Sequence, residues 1–305
     1  MKISGFTFLR DAEFRGYPFV ESIQSVLPLV DEFIVALGPC TDRTGEMLQQ
    51  INNPKLRIIH TTWNEGIRTD GKVKGFVYGQ QKSIALFNCT GDWAFYLEGD
   101  EVIHETDIPV IRQAMERYLD DREVEALTFN YLHFYGNLNT LAWSPAWYRR
   151  EVRILRNTIP AWGPKGLFFS VLDSAMRGRY PKAAHTNATI YHYGWARTQT
   201  HIQRTKDGIE KYWSPKKIQV QMNQIDPAVL RPFTGTHPAV MRDNLPPTHE
   251  LFQPDPNHQL TRRERRHRIM ARVENLFNLD LVRKHYKLIR PAPPITPPAE
   301  AIRSP

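Results

Sequence analysis

The feature that most constrains the fold is an alternation in the first half of the chain. Short apolar runs rich in β-branched and aromatic residues take turns with segments whose apolar residues recur at helical spacing. ISGFTFL (3–9), FIVALG (33–38), LRIIH (56–60) and WAFYL (93–97) have the length and composition of buried strands. Between them, Phe19, Val20, Ile23, Val26 and Leu27 repeat at helical period until Pro28 closes the pattern. Met47, Leu48 and Ile51 mark a second helix, and Ile84, Leu86 and Phe87 a third. This tempo predicts an α/β fold with a doubly wound, mostly parallel sheet flanked by helices. Such sheets bind ligands at the carboxyl ends of their strands. Polar residues collect at those ends: Arg10 and Asp11 after the first strand, Thr41 and Asp42 after the second, and Glu98, Asp100 and Glu101 after the fourth.

Downstream, a helix is expected over 108–118, then strands in ALTFNYLHFYG, RILRN and TIYHYGW (189–195), then a polar helix over 198–213. Seven prolines between Asp226 and His258 are too many for regular structure, so that stretch is read as extended chain lying over the body. Thr261 and Glu264 form a capping box. Ile269, Val273, Leu276, Phe277 and Leu281 follow as the apolar stripe of an amphipathic helix studded with arginine. Six prolines in the last fifteen residues read as a disordered, polyproline-like tail. The expected organisation is a body over 1–215, a Pro-rich extended segment over 216–260 packed on it, a basic amphipathic helix over 261–290, and a Pro-rich tail over 291–305.

Composition excludes several classes. With 305 residues and 41% hydrophobic residues, a sizeable core can form. No stretch approaches the roughly 18–20 uninterrupted apolar residues of a bilayer-spanning helix. Two cysteines, Cys40 and Cys89, can build neither a disulfide framework nor a tetrahedral zinc site alone. A reducing, cytoplasmic address is the expectation. The net charge of +8 is uneven: residues 262–305 hold 11 Lys/Arg against 4 Asp/Glu, a net of +7, whereas the first 261 hold 29 against 28. A nucleic-acid binder carries its charge across its main face, so nucleic acid is not an expected partner.

The chemistry is concentrated in YLEGDE (96–101). On a strand, Glu98 and Asp100 would project to the same face, with Gly99 allowing close approach between them. Paired carboxylates at a sheet's carboxyl edge suit a hard divalent cation, Mn²⁺ or Mg²⁺, that takes its remaining ligands from water and phosphate. The alternative is a solvated acidic turn, which the position after a buried strand disfavours.

These segments together resemble a known family. FTFLRDAE, GPCTDRTGEML and KSIALFNCTGDWAFYLEGDEVIHE are similar, in that order, to family-two glycosyltransferases of GT-A fold over about the first 130 residues. FNYLHFYG, WYRREVRILRN, IYHYGW and GTHPAVM look like a bacterial subgroup of it. The resemblance implies a metal-dependent glycosyltransferase of hexosyltransferase type. It would move a sugar from a nucleotide-diphosphate sugar to a glycan or lipid-linked acceptor, with inversion, in cell-surface polysaccharide or lipopolysaccharide synthesis. Asp100 would be the principal metal and diphosphate contact, Glu98 a second metal ligand and Glu101 a further catalytic candidate. Lys82 would face the phosphates as a point charge, and Arg10 and Asp42 would line the nucleotide pocket. Gly38 stands where relatives often carry an acid.

His192 could complete the metal shell, against the reading of a half-buried imidazole bonded to backbone. His133 could reach the acceptor side or pack in the core. An inverting enzyme needs a general base. Asp173 and Glu151 lie in the right region of the chain, but neither sits in a recognisable motif. Trp143, Trp147, Tyr148, Trp162, Tyr193 and Trp195 suit either sugar stacking or core filling. The Arg-rich helix has three readings: a solvated outer face, an interfacial helix drawn to anionic lipid or lipopolysaccharide precursors at the inner membrane face, or a nucleic-acid contact. Rival functions are a non-catalytic GT-A-fold scaffold or binding module, and a nucleotidyltransferase. FLRDAEFRGYP offers only one of the glycines a phosphate loop needs.

Overall fold

The computed structural model describes every residue except 65, 68–73, 214–218, 246–249, 278, 295–297 and 299–305. Most of the expected Pro-rich tail, and part of the loop before the third helix, lie outside the described residues. The first half alternates as the pattern requires: β1 (Ile3–Leu9), α1 (Phe19–Val26), β2 (Glu32–Leu37), α2 (Thr44–Gln50), β3 (Leu56–His60), α3 (Phe76–Leu86) and β4 (Trp93–Tyr96). Next come β5 (Glu101–Ile103), α4 (Ile108–Arg117), β6 (Ala126–Tyr135), β7 (Thr140–Ala142), β8 (Arg150–Arg156), and the short β9 (Ala161–Trp162), β10 (Ser170–Leu172) and β11 (Gly178–Arg179). The long β12 (Lys182–Trp195), α5 (Gln199–Trp213), β13 (Leu230–Pro232), α6 (Arg262–Phe277) and β14 (Lys287–Leu288) complete the chain.

The fold is α/β, built on a central mixed sheet flanked by helices. β3, β2, β1 and β4 lie side by side and run parallel. All four residues of β4 are buried, as expected of a strand covered on both faces. One face packs Phe33, Phe95, Phe129 and Ile154 under α1 and α4; the other packs Phe6, Tyr96, Leu86 and Phe169 under α3. The direction of winding changes between β1 and β4, which opens the crevice where such sheets bind ligands. Beyond β4 the sheet turns mixed: β8 is antiparallel to β4 and to β6, while β12 runs parallel to β6 and antiparallel to β5.

Two expectations are corrected. The apolar run was expected to carry Glu98 and Asp100 along a strand, but β4 stops at Tyr96 and both residues sit in the turn before β5. Gly99 packs against Leu9 and Phe19 of the core rather than facing a ligand. The basic helix was expected to run to residue 290. α6 ends at Phe277, and the later β14 adds to β12 in parallel.

Most of the apolar stripe of α6 is turned to solvent, with Val273 half-buried. Ile269, Leu276 and Phe277 are 62%, 77% and 62% exposed. Polar contacts hold the helix to the body instead. The capping box forms, with Thr261 N and Oγ1 donating to Glu264 Oε2 at 2.8 and 2.7 Å and Glu264 N donating back to Thr261 Oγ1 at 3.2 Å. Arg268 grips the buried carboxylate of Asp226 at 2.7 and 2.6 Å, and Arg149 grips Glu274 at 3.0 and 2.7 Å with both partners buried. Glu274→Ala would leave the Arg149 charge buried with Asp280 as its remaining acidic partner among the described residues. A loss of roughly 3–5 kcal/mol, the cost typical of breaking a buried pair from one side, is expected in denaturant titration.

Candidate functional site

The site is built around a buried ion pair. Glu101 opens β5 and is fully buried. Arg153 of β8 donates to both of its carboxylate oxygens at 2.7 Å, and the Tyr131 hydroxyl donates to Oε1 at 2.9 Å. The guanidinium and its hydrogen bonds hold the Glu101 carboxyl below the usual carboxylate range in spite of burial. With both oxygens engaged, Glu101 is a structural anchor, and its expected catalytic part is withdrawn. Glu98 receives a weaker contact from the same guanidinium at 3.2 Å and keeps 29% of its side chain exposed. Burial and the charge of Glu101 push its carboxyl upward.

Asp100 is buried beside this pair and faces β12. Strand register brings it the expected histidines: on β12, His192 stands opposite Glu101 of β5 on one side and His133 of β6 on the other. His192 Nε2 lies 3.7 Å from Asp100 Oδ2. His133 Nε2 lies 2.6 Å from the Tyr148 carbonyl, and His133 Nδ1 lies 2.8 Å from His192 Nδ1.

A carbonyl only accepts, so His133 carries its proton on Nε2. Burial depresses the two rings to about 3 and about 4, so both are neutral. His133 Nδ1 is therefore a bare acceptor, His192 Nδ1 donates to it, and His192 Nε2 is left with a free lone pair facing Asp100. Burial also raises the Asp100 carboxyl to about 6, opposed by the charge of Arg197.

Gly194 lets the Asp100 and His192 side chains pack against the backbone. A Cβ there would lie 2.6 Å from His192 Nε2 and 2.8 Å from Asp100 Oδ2. A carboxylate oxygen, a bare imidazole nitrogen and a position where no side chain fits together match the needs of a divalent cation.

A cavity of about 500 Å³ opens from the histidines. His133, His192, Trp147, Tyr148 and Trp195 line it from the body, and Glu264 and His267 line it from α6. Trp147 and Trp195 meet edge to face at 5.9 Å. On the β1 side, the Arg10 guanidinium sits 5.0 Å from the Trp63 ring and 3.6 Å from Asp11. The Trp63 indole fills the space beside Gly38, where a Cβ would come within 2.4 Å of its nitrogen. Asp42 accepts from the backbone N–H of Phe14 and Thr44, ordering the loop after β2. Asp11, Cys40 and Asp42 come close enough together to offer three ligand atoms, though the carboxylates already accept hydrogen bonds within the loop.

Other expected residues fall elsewhere. Lys82 is buried, with its ammonium on the carbonyls of Gly166 and Phe168 at 2.7 and 3.4 Å and 3.6 Å from the Phe169 ring. Burial and the neighbouring Arg153 hold its pKa well below the usual lysine value. Glu151 is buried against His285 at 2.7 Å, and Asp173 orders the turn through the N–H groups of Ala175 and Arg177. Neither lines the cavity, so both weak general-base candidates are withdrawn.

Sequence reading missed Arg153, Tyr131, Gly194 and Arg197. Arg197 donates to the Gly194 carbonyl and to the Arg15 carbonyl, tying the end of β12 to the loop after β1. Its place two residues after IYHYGW was the available signal.

No family model and no curated protein matches the sequence. Solved structures do resemble parts of it. Glucosyl-3-phosphoglycerate synthase from Mycobacterium tuberculosis, in complex with Mn²⁺, UDP and phosphoglyceric acid, is 19% identical over 43% of this chain and 43% of that one, with a TM-score of 0.31. S. aureus TarS 1–349 is 16% identical over 52% of this chain and 47% of that one, with a TM-score of 0.33. The chain thus spans less than half the length of each of these structures. At such identities and TM-scores, function rests on this chain's own residues.

Two outcomes follow from the geometry. Glu101→Gln weakens the partner of a fully buried guanidinium and should destabilise the fold by roughly 3 kcal/mol, with Glu101→Gln/Arg153→Met less destabilised than the sum of the two single changes. Cation affinity should rise from pH 5 to 7 and then level off, because Asp100 must lose its proton near 6 whereas His192 Nε2 is already bare. Mn²⁺ titrations followed by calorimetry across that range check the sign.

Proposed function

We propose that the chain is a metal-dependent glycosyltransferase of GT-A fold, moving a sugar from a nucleotide-diphosphate sugar to a glycan or lipid-linked acceptor with inversion. The observation that carries this is the Asp100–His192 donor pair, packed against Gly194 just beyond the carboxyl end of β4. Asp100 and His192 would hold the cation. The imidazole nitrogen favours Mn²⁺ over Mg²⁺, because Mg²⁺ prefers oxygen ligands alone. A cation there would neutralise diphosphate charge as the leaving group departs.

The protein's part is orientation. His133 fixes the His192 tautomer by accepting from Nδ1, and the Tyr148 carbonyl fixes His133 in turn. His133 therefore acts as a positioning residue, since both ring nitrogens are engaged. Arg10, stacked beside Trp63, stands on the side from which a nucleotide would enter the crevice. Trp147 and Trp195 offer the acceptor flat apolar walls, and sugars present matching C–H faces to indole rings. The cell-surface polysaccharide or lipopolysaccharide setting belongs to the same proposal.

Calorimetry of the full chain against a panel of nucleoside diphosphates and their sugar conjugates, with and without Mn²⁺, tests the reading. Metal-dependent binding of one nucleotide is expected, weakened roughly a hundredfold or more by Asp100→Asn. His133→Phe should weaken cation affinity by roughly 10–100-fold with little change in Tm, as for other groups that orient a metal ligand. Gly194→Ala should do so by pushing Asp100 and His192 apart. Absence of metal-dependent nucleotide binding by a folded sample would overturn the proposal in favour of a scaffold.

A further inference from the structure

Helix α6 has two sides, and the body uses only one. Glu264, His267 and Glu274 face inward, the first two onto the cavity and the third onto Arg149. At 100° per residue, Arg262, Arg265, Arg266 and Arg272 fall within an outward arc of about 140°. Ile269, Leu276 and Phe277 stand among them in that arc, and all seven side chains are exposed. The arc holds no acid. Both acids of the helix are spent inward, Glu264 in the cap and on His258, Glu274 on Arg149.

We propose that this outer face of α6 docks on an anionic lipid surface. Arginines without acidic neighbours on the same face attract anionic headgroups, and the exposed Ile269, Leu276 and Phe277 can then leave water for the acyl boundary. Nucleic acid would use the arginines but leave Ile269 and Leu276 in water, with Phe277 the only ring available for stacking. A second copy of the chain would bring two faces of the same charge together. Docking itself does not depend on the transfer reading. If that reading holds, the cavity lies one helix diameter, about 10 Å, from the lipid surface, which suits an amphiphilic acceptor over a soluble one.

The experiment is co-sedimentation of the full chain with phosphatidylcholine vesicles, plain or doped with phosphatidylglycerol, at low and high salt. Binding to the doped vesicles alone is expected, weakened by salt because the attraction is screened. Two variants separate the forces: Arg262→Gln/Arg265→Gln/Arg266→Gln/Arg272→Gln, and Ile269→Ser/Leu276→Ser/Phe277→Ser. Each should lower vesicle binding by roughly tenfold or more, with Tm and metal-dependent nucleotide binding retained because the inward anchors are untouched. Three results would each overturn the proposal: equal partition onto doped and plain vesicles, variants that bind like the parent, or an oligonucleotide that competes the chain off the vesicles. A dimer in sedimentation that Leu276→Ser dissociates would do so too, assigning the face to a second copy. A failure here alongside intact nucleotide binding leaves the transfer reading standing, and the reverse pattern leaves docking standing.

Discussion

The buried bond between Glu101 and Arg153 is the interaction on which the site depends. It joins the first residue of β5 to the middle of β8, so the turn carrying Glu98 and Asp100 is pinned from beneath. A buried pair of this kind adds little net stability over a well-packed apolar pair, because desolvation offsets most of the attraction. What it gives is placement. Once Glu101 is neutralised by the guanidinium and by the Tyr131 hydroxyl, Asp100 is left as the carboxylate that reaches the histidines.

The second layer is a chain of hydrogen bonds with one possible direction. The Tyr148 carbonyl can only accept, so protons are assigned outward through His133 and His192 until a bare nitrogen meets Asp100. Burial keeps both rings neutral near neutral pH, which protects that lone pair. Gly194 completes the arrangement by contributing no side chain at the place where one would collide with both donors. Backbone, register and absence of a Cβ thus position Asp100 and His192 against each other.

α6 inverts the usual logic of an amphipathic helix. Ile269, Leu276 and Phe277 face water, and its inward contacts include the ion pairs Arg149–Glu274 and Arg268–Asp226. A sequence stripe of Ile269, Val273, Leu276 and Phe277 signals a face but not which way the face is turned. That direction is set by the position of Arg149 and Asp226, which come from distant parts of the chain.

The sequence by itself determined the strands β1 to β4, the helices between them, the capping box at Thr261 and Glu264, and the sheet edge at which polar residues gather. These follow from local period, propensity and the rule that βαβ units wind in one direction. It also singled out Asp100, His133 and His192. Only the tertiary structure decided that His192 lies between Glu101 and His133, that Arg153 takes Glu101 out of the chemistry, that Lys82 turns onto carbonyls, and that Glu151 and Asp173 are spent elsewhere. Apart from the local turn of Asp173, these outcomes depend on partners fifty or more residues apart, and those of Glu101, His133 and His192 on strand register. A one-residue slip of β5, β6 or β12 would send Glu101, His133 or His192 to the opposite face without altering any local pattern.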